Sequence, residues 1–298
     1  MRRVTFSRNY TISLSRTCRC YCKYCSFATR KAHLHAPGEV DRMLEEAVRR
    51  GAKELLVLTG ERPEVNAEVR SRLADHGHED FTSYVVWTCE RALERGLLPH
   101  TNLGVLSRDD LGRLRQVTAS QGLMLESVAE RLMETVHAGS PTKHPERRLA
   151  TIRAAGELRI PFTSGILVGI GETEEERIDA LRALAEVHAE HGHLQEVILQ
   201  NYVPHPRYYG REPAQIADSA QRHASAGDPV VEPFPDWATP ISLEDMRLLV
   251  RECRRLMPDV GVQIPPNLSD WWLPLVEEGA TDLGGLSANG DHISPEHP

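Results

Sequence analysis

Short apolar segments alternate with helical ones along nearly the whole 298-residue chain, and that rhythm constrains the fold more than any other feature. Strand-like segments fall at residues 10–15, 54–58, 98–106, 122–125, 161–168, 196–200, 260–264 and 281–285. Helix-like segments lie between them at 37–50, 80–95, 107–118, 144–158, 172–191, 242–257 and 269–278. Val40, Met43, Leu44 and Val48 recur at helical spacing, with Gly51 placed to stop that helix, and Ser107 with Asp110 resembles a capping box. Strands alternating with helices pair in parallel, because parallel neighbours need a crossover. The pattern predicts an α/β chain, most economically a (β/α)8 TIM-type barrel, with a doubly wound open sheet as the alternative. A barrel would use 1–298 as one domain. With aromatics at 5%, the barrel interior is expected to be packed with branched aliphatic side chains. Residues 203–241 break the rhythm and hold seven of the 19 prolines, so they read as a lid, a binding loop or a disordered insertion.

Charge narrows the partners. Lys plus Arg is 35 against 43 Asp plus Glu, a net charge of −8, which argues against a nucleic-acid footprint. No stretch approaches the roughly 20 apolar residues of a membrane span. The first residues, MRRVTFSRNYT, lack the apolar core of a secretory signal, so a cytoplasmic location is expected.

The cysteines carry the chemistry. Four of the six (Cys18, Cys20, Cys22 and Cys25) fall directly after the first strand, where a barrel places its catalytic face. Disulfides between Cys-x-Cys neighbours would be strained and lack an oxidising compartment. A structural zinc site usually takes two separated ligand pairs, whereas Cys89 and Cys253 stand alone. An iron–sulfur cluster suits one short loop that wraps it. Chance gives a Cys-x3-Cys-x2-Cys triplet in such a chain with a probability on the order of 0.002. Glu126, after the fourth strand, is placed to point into the barrel mouth, and Gln200 and Asn201 end the sixth strand.

Cys18-x3-Cys22-x2-Cys25, with aromatic Tyr24 before the last cysteine, resembles the cluster motif of the radical S-adenosylmethionine (SAM) superfamily. The resemblance implies a [4Fe-4S] cluster held by Cys18, Cys22 and Cys25, with SAM chelating the fourth iron. Cys20 departs from the motif and reads as a spare thiol. Thr59-Gly60-Glu61 resembles the turn that binds the SAM amino group. Arg148, with Arg147 beside it, aligns with an arginine that contacts the SAM carboxylate. Ile166, Leu167 and Val168 resemble the segment that stacks on adenine, and Glu126 is a candidate for a ribose hydroxyl or an ammonium.

Segments 59–64, 98–104, 124–127, 137–145, 196–201, 264–268 and 284–293 are similar to the 7,8-didemethyl-8-hydroxy-5-deazariboflavin synthases (CofG-type) of that superfamily. What this implies is an ammonia-releasing carbon–nitrogen lyase in deazaflavin coenzyme biosynthesis. Its substrate would be the adduct of a 4-hydroxybenzyl group with a ribitylaminouracil. The resemblance also implies a sister radical SAM subunit (CofH-type) that makes the adduct, and an electron donor such as ferredoxin or flavodoxin. Substrate-binding candidates are Asn102, His137, Gln200 and Asn201, together with Asn267, Asn289, Asp291 and His292. The match is weakest at 203–241 and at Cys20. Competing readings are the sister subunit, a menaquinone-route or biotin-synthase-like enzyme, and a non-catalytic zinc module.

Overall fold

The computed structural model describes residues 3–204, 235–284 and 286–288. Its strands are β1 Thr5–Phe6, β2 Asn9–Ile12, β3 Glu54–Leu58, β4 Leu98–Asn102, β5 Ser120–Gly122, β6 Phe162–Val168, β7 Leu194–Asn201, β8 Gly261–Ile264 and β9 Asp282–Leu283. All pair in parallel in the order β1-β9-β8-β7-β6-β5-β4-β3-β2. β1 and β2 therefore occupy opposite edges, yet only residues 7 and 8 separate them. The edges must meet, and the sheet curls into a barrel. The seam is visible where Asn9 bridges Ser287 and the Ala288 amide donates to the Asn9 carbonyl at 2.8 Å. β1 and β2 are thus one barrel strand in two pieces. The count of eight holds, and the open-sheet alternative does not.

The helices are α1 Pro37–Arg49, α2 Ala67–Asp75, α3 Phe81–Leu93, α4 Arg108–Arg115, α5 Pro145–Glu157, α6 Glu174–His191, α7 Leu243–Leu256 and α8 Trp272–Glu278. Capping explains several starts. Thr173 and Ser242 form capping boxes with Glu176 and Asp245, and Ser107 accepts from the Asp110 amide. Helix α2 was not expected. It buries only Val69 and Leu73, too thin a stripe to read from sequence, and the Asn66 side chain caps it.

Two strand expectations need correction. The third strand ends at Asn102 rather than 106, and the fourth covers Ser120–Gly122 rather than 122–125. Beyond Gly122 the chain stays irregularly against β6, with the Leu123 amide donating to the Thr163 carbonyl at 3.0 Å and Glu126 bridging Ile166. Of the proline-rich segment, residues 205–234 lie outside the described residues.

The pleat sorts side chains into two layers. Leu55 and Val57 of β3 and Ile166 and Val168 of β6 face outward, joining apolar clusters packed under the helices. Glu54, Leu56 and Leu58 face inward. The expected aliphatic interior is found only in part, as Leu56, Leu58, Ile198 and Leu283 share it with polar side chains. The inward positions surround a cavity of about 370 Å³ bordered by Glu54, His100, Glu196, Gln263 and Asp282. Alternation on half-polar strands leaves the polar residues facing inward beside a minority of aliphatic ones, while Leu55, Val57, Ile166 and Val168 go to the helix layer.

Candidate active site

A second cavity, of about 240 Å³, opens at the C-terminal ends of the strands and is bordered by all four clustered cysteines. The loop after β2 carries them. Its neck is pinned where Thr17 bridges Thr29 and the Thr29 amide donates to the Arg16 carbonyl at 2.9 Å. Arg30 lies over the Tyr21 ring at 3.4 Å and donates to the carbonyls of Cys18 and Cys20. The Tyr21 amide donates to Ser140 Oγ at 2.7 Å, and the Lys23 amide donates to the Val136 carbonyl at 3.0 Å. The loop is therefore held from both sides before any ligand arrives.

All six cysteines are free. Cys89 and Cys253 are buried in the helix layer as small apolar side chains, which leaves the loop as the chemical group. Cys18 Sγ accepts from the amides of Glu61 at 3.3 Å and Cys20 at 3.4 Å. The hydrogen bond with Cys20 holds the Cys18 thiol below its ordinary pKa, favouring the thiolate that binds metal. Cys20 Sγ instead meets the Thr142 hydroxyl at 3.1 Å. Among the described residues no three His, Cys, Asp or Glu side chains converge on a single ion, whereas a cube spreads its three thiolates over three irons.

Glu61 sits against this loop in a space two glycines create. A Cβ on Gly60 would stand 2.1 Å from the Thr17 carbonyl oxygen, so only glycine lets the turn after β3 approach the cysteine loop. Gly104, at φ +84°, leaves room for the Glu61 carboxylate, which a Cβ there would strike at 2.4 Å. Glu61 Oε2 accepts from the Val105 amide at 3.1 Å. Its other oxygen is buried without a partner among the described residues, as are the hydroxyls of Thr59 and Ser26 on the same cavity. Unsatisfied buried polar atoms clustered at one cavity mark a missing polar ligand.

Glu126 is the third element. It holds the uncommon φ of +68°, and its backbone is stitched to β6 through the Gly165 carbonyl and the Leu167 amide. Burial pushes its carboxyl up, but Lys143 and Arg148 outweigh that and hold it below the ordinary carboxylate range. Lys143 Nζ donates to Glu126 at 2.5 Å, and the Arg148 guanidinium lies 3.8 Å away. Arg148 is itself buried and donates to the Met124 and Thr142 carbonyls. Its neighbour Arg147 is exposed, which separates the two arginines. Tyr24 Oη meets His137 Nε2 at 3.2 Å. Burial and the nearby Lys143 cation push His137 down to about 3, so the imidazole is neutral.

The structure brings Cys18, Cys22, Cys25, Tyr24, Thr59, Gly60, Glu61, Glu126, Arg148 and Leu167 to this cavity, with Asn102, Gln200 and Asn201. It does not bring Ile166 and Val168, which the pleat turns to the helix layer. His137 stands behind Tyr24, and Asn267 borders neither cavity. Asn289, Asp291 and His292 lie outside the described residues. Sequence reasoning missed Lys143. It sits in a Pro-Thr-Lys-His-Pro loop that reads as surface, and its position immediately before a Pro-started helix was the available signal.

The residues present fit the cofactor pair the sequence implied. Three cysteines lie on one short loop, a buried carboxylate oxygen lacks a partner for an ammonium, and a buried guanidinium suits a carboxylate. Comparison with known proteins agrees. The Radical SAM superfamily model matches residues 12–184. The chain is 41% identical to the 7,8-didemethyl-8-hydroxy-5-deazariboflavin synthase of Archaeoglobus fulgidus, over 100% of this chain and 84% of that protein. It is also 41% identical to that of Methanosarcina mazei, over 98% of this chain and 81% of that protein. The fold resembles the FeFe-hydrogenase maturase HydG from Carboxydothermus hydrogenoformans, with a TM-score of 0.69 and 19% identity over 96% of this chain and 59% of that one.

Proposed function

We propose, since the chain belongs to the Radical SAM superfamily and within it to the 7,8-didemethyl-8-hydroxy-5-deazariboflavin synthases, that it closes the deazaflavin ring from the 4-hydroxybenzyl–ribitylaminouracil adduct, with loss of ammonia. Enzymes of this superfamily use a [4Fe-4S] cluster and SAM. The observation that carries the reading is the 41% identity extending over the whole chain, cysteine loop and mouth together.

Cys18, Cys22 and Cys25 would hold the cluster, leaving Cys20 bonded to Thr142. Glu61 would receive the SAM ammonium and Arg148 its carboxylate. Glu126, fixed by Lys143, would take ribose hydroxyls, and Leu167 would border the adenine. When bound, the pair supplies a 5′-deoxyadenosyl radical that removes a hydrogen atom from the substrate. The chain's own part is to orient the adduct and keep water from the reacting carbon. Asn102, Gln200 and Asn201 would hold its pyrimidine, and neutral His137 would position Tyr24.

Residues 1–298 would act as a single barrel domain in the cytoplasm. Among the described residues no helix is long and apolar enough to cross a membrane. A sister radical SAM subunit would supply the adduct, and ferredoxin or flavodoxin the electron. The test is anaerobic turnover with SAM and reductant. The preformed adduct should give 5′-deoxyadenosine and a fluorescent deazaflavin. Turnover only with tyrosine plus the ribitylaminouracil would reassign the chain to the sister reaction.

A further inference from the structure

The cavity deep in the barrel has no role in the reading above. It is continuous with the mouth, since Leu58, Asn102, Met124 and Gln200 border both. We propose that this lower chamber is a polyol subsite that takes the ribityl chain of the substrate, an assignment that rests on the reading of the substrate given above. Gln263 is 9% exposed, and its Oε1 has no partner among the described residues. Its Nε2 donates to Glu196 at 2.6 Å, so the amide cannot turn to satisfy the oxygen without breaking that bond. A buried acceptor of this kind calls for a hydroxyl donor. Ser120 Oγ engages His100 Nδ1 at 2.7 Å, and the imidazole borders the chamber beside Gln200 and Gly122.

Charge selects the class of ligand. Glu54, Glu196 and Asp282 border the chamber, and no Lys or Arg among the described residues does. A phosphate or carboxylate tail would meet three carboxyls with no compensating cation, which costs heavily in a buried site. A single metal ion is not accommodated either, because no three of these groups converge on one point. A neutral chain of hydroxyls, each both donor and acceptor, suits the mixture of carboxyl, amide and imidazole. Burial and the neighbouring Asp282 push Glu196 up to about 8, so at neutral pH it carries a proton and donates as well as accepts. Burial likewise raises Glu54 and Asp282.

The experiment is calorimetric binding, to the cluster-loaded protein, of the adduct and of an analogue with an ethyl group in place of ribityl. Gln263→Leu should weaken the adduct about tenfold or more and change the analogue by less than about twofold. Iron content and melting temperature report whether that variant folds; if it does not, Glu54→Gln provides the same comparison. Equal weakening of both ligands, or of neither, would overturn the assignment. Stoichiometric Ca²⁺ binding abolished by Glu196→Gln would overturn it in favour of a cation. Absence of deazaflavin from wild-type protein would instead sink the parent reading, so the two failures are separable.

Discussion

The mouth and the lower chamber sit in one barrel, share four lining residues, and treat charge in opposite ways. At the mouth Glu126 is paired with Lys143 and lies near Arg148, while Glu61 keeps one oxygen open. In the chamber three carboxyls lie together with no cation among the described residues, and burial raises each. Ionised pairs suit a zwitterionic ligand that exchanges one salt bridge for another. Carboxyls raised by burial and left without a cation suit a neutral, hydrogen-bonding one. The same residue type thus marks different ligands according to whether a counter-ion is buried beside it.

The sharpest way to break this contrast is at the cysteines. Cys22→Ala should take iron from about four per chain to near none and abolish turnover, whereas chamber variants should keep full iron, as read by iron and sulfide analysis. Lys143→Met comes next. It strips the close cation from Glu126 and should cost about 3–5 kcal/mol in urea unfolding, while Glu54→Gln, which removes an uncompensated acid, should cost nothing or stabilise. Glu61→Gln should weaken SAM binding by about 1.5–3 kcal/mol, measured calorimetrically, through loss of a charge-assisted bond.

The smallest effect is on pH. Glu196 stands near 8 in the folded chain and near the ordinary carboxylate value when unfolded, so the folded state binds the extra proton between about pH 4.5 and 8. Stability should therefore fall as pH rises through that window, with the penalty complete above it. Glu196→Gln should flatten the slope and make the chain more stable than wild type at pH 9, while matching it near pH 4. Asp282 and Glu54 face the same chamber and leave some slope in the variant.

The mouth was far more legible than the chamber. Cys18, Cys22 and Cys25 lie on one loop, and local spacing carries their geometry. Glu126 follows a strand closely enough for position alone to aim it at the mouth, whereas Glu61 was legible only through the resemblance of its turn. Of the expected adenine segment only Leu167 borders the cavity, because a run of three apolar residues hides the pleat that turns Leu167 inward and Ile166 and Val168 outward. The chamber joins His100, Glu196, Gln263 and Asp282 from four strands far apart in sequence. Each looks by itself like the solvent side of a half-buried strand. Only barrel closure, set by the two residues between β1 and β2, turns that side inward.

The most direct test of the central claim, that Cys18, Cys22 and Cys25 would hold a [4Fe-4S] cluster with Glu61 and Arg148 receiving SAM beside it, is the electron paramagnetic resonance spectrum of the reduced protein. Adding SAM should shift the signal in wild type and in Cys20→Ala alike, and Cys22→Ala should show no cluster signal. A wild-type spectrum indifferent to SAM, or loss of the cluster in Cys20→Ala, would contradict the account.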